Sequence, residues 1–311
     1  MLSYAYFQKQ FVPLSQAKIG VMTHALHYGT AVFEGIRGNW NPDHQQIYLF
    51  RLKEHYERLG NGCHILKIDL PQSLDELCQI TVELAERCGF QEDIYIRPLA
   101  YKSSEALGVR LHDLESDFLA FVIPWGPYLK VDKARCSISS WRRPDDNVIP
   151  PQIKVTGIYI NNAFAKTEAV ANGFDEAIML SSDGYICEGS GENIFLVIDN
   201  KLVTPPCYSS ILPGITRDTV IKLAQDELGV DTVERQVDRS ELYTADECFL
   251  TGTAANITPV AEVDRRKIKN GEIGEITKKL KKLYSDVIRG NNPKYLHWCT
   301  PVYKEARVKR A

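Results

Sequence analysis

At 311 residues the chain is longer than one hydrophobic core usually supports, about 250–300 residues, so two domains are expected. A composition of 44% hydrophobic and 25% charged residues is that of a globular protein, and a formal net charge of −3 leaves no basic footprint for nucleic acid. No run of about 18 apolar residues marks a membrane span, and eight scattered cysteines without a Cys-x-x-Cys argue for free thiols in a reducing cytosol over disulfides or zinc.

The opening MLSYAYFQKQFVPLS lacks the basic start and apolar core of a signal peptide, so none is expected. The stretch HALHYGTAVFEGIR, residues 24–37, then brings two histidines, a tyrosine, a glutamate and an arginine together. His24 and His27, three apart with Glu34 beyond, suggest a metal site. Ala25, Tyr28, Val32, Phe33 and Ile36 fit a helical stripe better, interrupted by Gly29 and Gly35. From Ser73, SLDELCQITVELAERCG reads as a helix with a Ser-x-x-Glu capping box and a stop at Gly89. DIYIRPLAY and DFLAFVIPW read as strands, and IPWGPYLKVDK, rich in Pro and Gly, fits a linker.

Beyond the linker, NAFAKTEAVANG reads as a helix ending at Gly173. Two hairpins follow, EAIMLSSDGYICEG turning on Asp183-Gly184 and NIFLVIDNKLVTP turning on Asp199-Asn200. ITRDTVIKLAQDELGV is a helix that opens straight after Pro213-Gly214, and ADECFLTGTAANITPV is a strand entering a loop of small residues. The fold class is therefore α+β in two domains. A small α+β domain spans residues 1–122, an interdomain loop 123–134, and a larger strand-rich domain 135–311. Its end, NNPKYLHWCTPVYKEARVKRA, reads as a basic tail, solvated or partly ordered.

Four features point to chemistry. LPGITRD places the amides of Ile215 and Thr216 at a helix N-terminus, where the dipole favours an anion. TGTAAN offers successive amides beside hydroxyls. Glu188, in ICEGSGENIF, ends an apolar strand, where a buried carboxylate needs a partner. Lys154, in PPQIKVTGIYI, lies between Ile153 and Val155 after a Pro pair, and a lysine in apolar surroundings can become a nucleophilic amine. A phosphate cradle, a carboxylate for a pyridine nitrogen and a Schiff-base lysine are together what pyridoxal phosphate chemistry requires.

Over residues 4 to 290 the sequence also resembles the branched-chain amino-acid aminotransferases, fold-type IV pyridoxal phosphate enzymes. The likeness rests on HALHYGTAVFEGIR, YIRPL, EGSGENIF, LPGITRD and GTAANITPV in that order. It implies a two-domain fold-type IV architecture and transamination of L-leucine, L-isoleucine and L-valine with 2-oxoglutarate, in the cytoplasm, by a homodimer or an assembly of dimers. It further implies that Lys154 carries pyridoxal 5'-phosphate and shuttles the proton between the substrate Cα and C4′. Glu188 would pair with the pyridine nitrogen and Tyr159 with the phenolic oxygen. Arg58, Ile215, Thr216 and Thr253 would bind the phosphate, with Leu212 packed on the ring. The substrate α-carboxylate is expected at Tyr95 and the Ala254 and Ala255 amides.

In the family Tyr28, Phe33, Trp125, Tyr128 and, across a dimer interface, Val109 line the side-chain pocket. His24 and His27 then become supporting polar groups. Arg97 is the natural partner for the distal carboxylate of glutamate, which must enter the same pocket. Asn256 and Ser190 stand where relatives commonly carry glutamate and alanine, a departure that bears on fine specificity. The rival readings are a D-amino-acid or (R)-amine transaminase, a 4-amino-4-deoxychorismate lyase, and a non-enzymatic carrier of the cofactor.

Overall fold

The computed structural model describes residues 3–126 and 131–304. The chain forms two units, one of Met1–Gly126, Ile153–Gly157 and Asp286–Ala311, the other of Pro127–Gln152 and Ile158–Ser285. A linear division at 122 and 135 differs from this grouping at two places, and strand pairing explains both. Val155 forms an antiparallel bridge to Val32, and Cys299–Pro301 is an antiparallel strand against residues 48–50.

The first unit is built on an antiparallel sheet of β1 (Tyr4–Phe7), β2 (Gln10–Pro13), β3 (Ala31–Phe33), β4 (Ile36–Asn41), β5 (Gln46–Phe50), β6 (Ile94–Lys102), β7 (Ser116–Pro124) and the strand Cys299–Pro301. In β6 the alternation of YIRPLAY sends Ile94, Ile96 and Ala100 to one face and Tyr95 and Arg97 to the other. Opposite residues of an antiparallel pair share a face, so Phe118 of β7 joins Ala100. Helix α2 (Leu52–Ile65) covers that face, with the Tyr56 ring 6.3 Å from Phe118. Helix α3 (Leu74–Cys88) packs on α2 and carries the expected Ser73–Glu76 capping box and Gly89 cap. Tyr95 and Arg97 are thus left on the face away from α2.

Two expectations change here. HALHYGTAVFEGIR is not one helical stripe: α1 (His24–Tyr28) ends at Gly29, whose φ of 63° is left-handed, and the chain then turns into β3 and β4. The β-branched and aromatic residues Val32, Phe33 and Ile36 pair with β6 instead of following a helical period. Of the tail expected to be solvated or partly ordered, residues 305–311 lie outside the described residues, and residues 293–303 are packed. Pro293–Trp298 forms a 3-10 turn, and Tyr295, Cys299, Val302 and Tyr303 are buried, so the basic residues conceal an apolar strand.

The second unit holds β8 (Ala134–Arg142), β9 (Glu176–Leu180), β10 (Ile186–Gly189), β11 (Asn193–Ile198), β12 (Lys201–Thr204), β13 (Thr232–Glu234), β14 (Glu247–Gly252), β15 (Asn256–Val263) and the short β16 (Arg266–Lys267). Pairing runs β10-β9-β8-β15-β14-β11, and β10 pairs again with β11, which closes the ring. Ile178, Leu180, Ile186, Ile194, Leu196 and Leu250 belong to the core of this unit. Ala177 and Met179, on the other face of β9, pack against Ala165 and Ala169 of α4 (Tyr159–Ala171). Burial on both faces explains why EAIML is an unbroken apolar run after its glutamate. Both expected hairpins form, and Asp199 and Asn200 take the left-handed φ values of 50° and 60° that a tight two-residue turn needs. Helix α5 (Ile215–Leu228) follows Gly214, and α6 (Glu241–Thr244) and α7 (Glu275–Ile288) complete the helices. Among the described residues no helix is long and apolar enough to cross a membrane.

Candidate active site

In the first unit Lys154 sits on a segment hydrogen-bonded to β3. Its carbonyl accepts the Phe33 N–H at 3.0 Å, and Thr156 Oγ1 donates to the Gly29 carbonyl at 2.8 Å. Lys154 Nζ lies 5.1 Å from the centroid of the Phe33 ring, and the Arg97 guanidinium lies 4.4 Å from the same ring. Arg97 Nη2 donates to Tyr95 Oη at 2.9 Å, and the Tyr95 ring is 5.4 Å from that of Trp125. The β6 alternation and the pairing of β3 with β6 thus group Phe33, Tyr95, Arg97, Trp125 and Lys154. Tyr28 accepts the Gly108 N–H at 3.0 Å, whereas Val109 next to it is 91% exposed. Tyr128 lies outside the described residues.

Glu34, next to Phe33 in the chain, anchors a largely buried charged cluster. Glu34 is fully buried and accepts Arg58 Nε at 2.7 Å, Arg58 Nη2 at 2.8 Å and His55 Nδ1 at 2.7 Å. His55 and Arg58 stand three apart on α2 and so share a helix face. Burial would raise the Glu34 carboxyl, but the charges and hydrogen bonds of Arg58 and His55 outweigh it and hold the group well below the usual carboxylate range. Burial pushes the His55 imidazole down against the pull of Glu34, so it serves as a neutral donor. His24, also buried, contacts Thr30 Oγ1 at 2.8 Å and the Gly108 carbonyl at 2.9 Å, and the exposed His27 contacts the Val21 carbonyl. Among the described residues no group of three or more His, Cys, Asp or Glu is arranged to hold a metal.

In the second unit Glu188 is 5% exposed. Strand alternation would put it on the same face as Ile186, in the core. A register shift between the two residues pairs Ile186 with Leu180 but Glu188 with Met179, on the α4 face. There its Oε1 faces Arg143 Nη2 at 3.1 Å, and Oε2 accepts the Leu212 amide at 3.0 Å and Asn193 Nδ2 at 3.2 Å. Tyr159 is the first residue of α4.

The helix start at LPGITRD has no side-chain cap, because its N-cap is Gly214. A Cβ there would collide with Asn193 Oδ1, so a larger residue would displace the Asn193 side chain that donates to Glu188. Ile215 and Thr216 open α5, and both are buried. Thr253, Ala254 and Ala255 form the loop between β14 and β15, with the Ala255 carbonyl held by Thr258 Oγ1 at 2.8 Å.

Sequence reasoning overlooked the residues that hold these groups. Arg143 follows β8 with no motif around it, and Asn162, Asn193 and His55 show their partners only after folding; Glu34 stands out in the sequence, but beside the histidines and not as the acceptor of Arg58 and His55. A second buried carboxylate pair was equally hidden. Glu176 accepts Lys166 Nζ at 2.6 Å and Ser190 Oγ at 2.5 Å. Glu192 accepts the Gly191 N–H, and burial together with the Glu176 charge raises its carboxyl to about 8. The two glutamates of EGSGEN, set among small residues, were the one available hint.

Comparison with known proteins bears on the family. The family model described as amino-transferase class IV matches residues 31–263. A protein of Aquifex aeolicus (strain VF5), named "Probable branched-chain-amino-acid aminotransferase", is 50% identical over 97% of this chain and 97% of its own length. Among solved structures, the branched-chain aminotransferase of Thermoproteus uzoniensis with norvaline superimposes with a TM-score of 0.93 at 44% identity, covering 96% of this chain and 99% of that one. The branched-chain amino acid aminotransferase of Thermobaculum terrenum in its PLP-form gives 0.92 at 38%, covering 97% of this chain and 98% of that one. With matches of this length and identity, the chain belongs to the class IV aminotransferases and, within them, to the branched-chain amino-acid aminotransferase family.

Proposed function

We infer that this chain transfers the amino group of branched-chain L-amino acids (leucine, isoleucine, valine) to 2-oxoglutarate, giving the branched-chain 2-oxo acids and L-glutamate, with pyridoxal 5'-phosphate as cofactor. The residues present fit that group. Glu188 is a buried acceptor with a fixed orientation, α5 opens on a glycine where a Cβ would displace Asn193, and Lys154 supplies an amine beside an aromatic ring. The observation that carries the reading is the pinned carboxylate of Glu188 within the EGSGENIF motif of a class IV aminotransferase.

The cofactor supplies an electrophilic aldehyde carbon and a protonated ring able to accept the electron pair released at the substrate Cα. Lys154 Nζ would hold it covalently and would carry the proton released at the substrate Cα. Glu188 would hold the proton at the ring nitrogen, and Tyr159 would donate to the phenolic oxygen. Arg58, Ile215, Thr216 and Thr253 would bind the phosphate, and Leu212 would pack on the ring. Tyr95 and the amides of Ala254 and Ala255 orient the α-carboxylate.

Tyr28, Phe33, Trp125, Tyr128 and, across a dimer interface, Val109 exclude water from the side-chain pocket, where each buried methylene contributes roughly 0.8 kcal/mol. Arg97 binds the distal carboxylate of glutamate in the second half-reaction. Its stacking on Phe33 and its bond to Tyr95 support that role by fixing the guanidinium. A homodimer, or an assembly of dimers, in the cytoplasm completes the reading. Exposed Val21, Leu26, Leu107 and Val109 on the first unit support a subunit contact, and free cysteines support a reducing compartment.

A panel of L- and D-amino acids against 2-oxoglutarate tests the assignment. Turnover of L-leucine, L-isoleucine and L-valine without D-alanine is expected. Strong activity on D-alanine with little on L-leucine would move the chain to the D-amino-acid transaminases.

A further inference from the structure

Arg143 is a buried charge that the roles assigned above do not use. Arg143 is 4% exposed, and all three of its guanidinium nitrogens are engaged. Nη2 faces Glu188 Oε1 at 3.1 Å, Nη1 donates to Asn162 Oδ1 at 2.9 Å, and Nε donates to the Ser210 carbonyl at 3.3 Å. Asn162 in turn donates through Nδ2 to the Ser190 carbonyl at 2.5 Å, two residues beyond Glu188. We propose that Arg143 is a positioning residue for transamination, acting through Glu188 to fix its carboxylate and to keep the proton on the cofactor's ring nitrogen. The proposal rests on the reading of Glu188 as the partner of that nitrogen.

Competing proton affinities decide where that proton stays. A carboxylate taken out of water without a cationic partner binds protons more strongly, because burial penalises the charged form. Such a carboxylate would take the proton from a pyridinium instead of accepting a hydrogen bond from it, and the ring would lose its capacity to hold electrons. Arginine stays charged under all working conditions, so it opposes this at every pH of interest. Its planar fork, held by α4 through Asn162 and by the Ser210 carbonyl, leaves Glu188 one orientation. Asn193 Nδ2 and the Leu212 amide hold the other oxygen. The same Arg143–Asn162–Ser190 chain braces the turn that follows the β10 register shift, so the bulge that brings Glu188 out of the core and the arginine that meets it form one device.

A double-mutant cycle tests this, using Arg143→Gln, Glu188→Gln, the double variant and Arg143→Lys. Two quantities are read: the rate of the leucine half-reaction by stopped flow, and the dissociation constant of pyridoxal phosphate by equilibrium dialysis. If Arg143 acts through Glu188, Arg143→Gln slows the half-reaction and weakens cofactor binding by at least about tenfold, a coupling typical of contacting residues. In the Glu188→Gln background the same change then shifts either quantity by less than about twofold. Arg143→Lys should recover part of the loss.

Equal losses in both backgrounds overturn the proposal and leave the reading of Glu188 standing. A Glu188→Gln variant with the wild-type rate overturns both. Should Arg143→Gln leave an unpaired buried carboxylate that prevents folding, Arg143→Lys in the two backgrounds carries the same cycle. A Lys substitution without effect in either background overturns it.

Discussion

Replacing Glu34 by Gln should destabilise the first unit by an amount set by its buried ion pair. Glu34 is fully buried, whereas the Arg58 side chain keeps 12% of its exposure. Glutamine has nearly the same volume, so no cavity forms. Its amide, however, must direct N–H groups toward Arg58 or His55, both of which are donors, and the Arg58 charge loses its counter-ion. Removing one partner of a buried pair costs about 3–5 kcal/mol, and the partial exposure of Arg58 points to the lower end. At roughly 2–4 °C per kcal/mol for a domain of this size, Tm should fall by about 6–15 °C. The assay is urea and thermal unfolding of the cofactor-free protein, so that no bound phosphate can compensate Arg58.

The pH dependence checks the cause. Glu34 is held below its ordinary value of 4.5, so between that pH and its folded value the unfolded chain binds the extra proton. Its stabilisation is therefore complete above pH 4.5 and is lost progressively as the pH falls below it. The gap between wild type and Glu34→Gln should narrow on acidification from pH 5 to 3. A loss under about 1 kcal/mol at pH 7, or a gap that stays constant to pH 3, would refute the reasoning.

Lys154→Ala should abolish transamination, and borohydride should no longer fix the cofactor to the chain; a pyridoxyl-lysine at another position, such as Lys166, would contradict the assignment. Arg97→Met should lower kcat/KM for glutamate and 2-oxoglutarate by roughly 10–100-fold, the loss of one charge-assisted contact. The leucine half-reaction by stopped flow should change far less, and an equal loss in both would assign Arg97 to the shared α-carboxylate. Glu192, raised to about 8 by burial and Glu176, keeps its proton when folded but loses it near 4.5 when unfolded, so wild-type stability should decline from pH 4.5 to 8. Glu192→Gln should remove that slope, which parallel urea titrations at pH 5, 7 and 9 would show; an unchanged slope would place the protonated group elsewhere.

Local physics was legible in the sequence. The Ser73 capping box, the Asp199-Asn200 turn, the strand in DIYIRPLAY and the helix start after Gly214 depend on neighbours within a few residues, and each forms as read. The motif order also pointed to the family, because stretches such as HALHYGTAVFEGIR and EGSGENIF, which holds Glu188, do not need the fold to be recognised. Where nearest neighbours do not decide, tertiary structure did. Val32 and Phe33 follow a helical period in sequence, yet they pair with β6 because Gly29 ends α1 and leaves their amides to a sheet. Residues 299–303 look polar and loose until β5 offers a free edge. The orientation of Glu188 turns on a one-residue register shift, which moves a side chain from one face of a strand to the other. Its partner Arg143, and the Arg58 and His55 that hold Glu34, lie 45, 24 and 21 residues away, at separations where no pattern of spacing specifies contact. Buried charges must find partners, but only the packing of strands and helices determines which ones they meet.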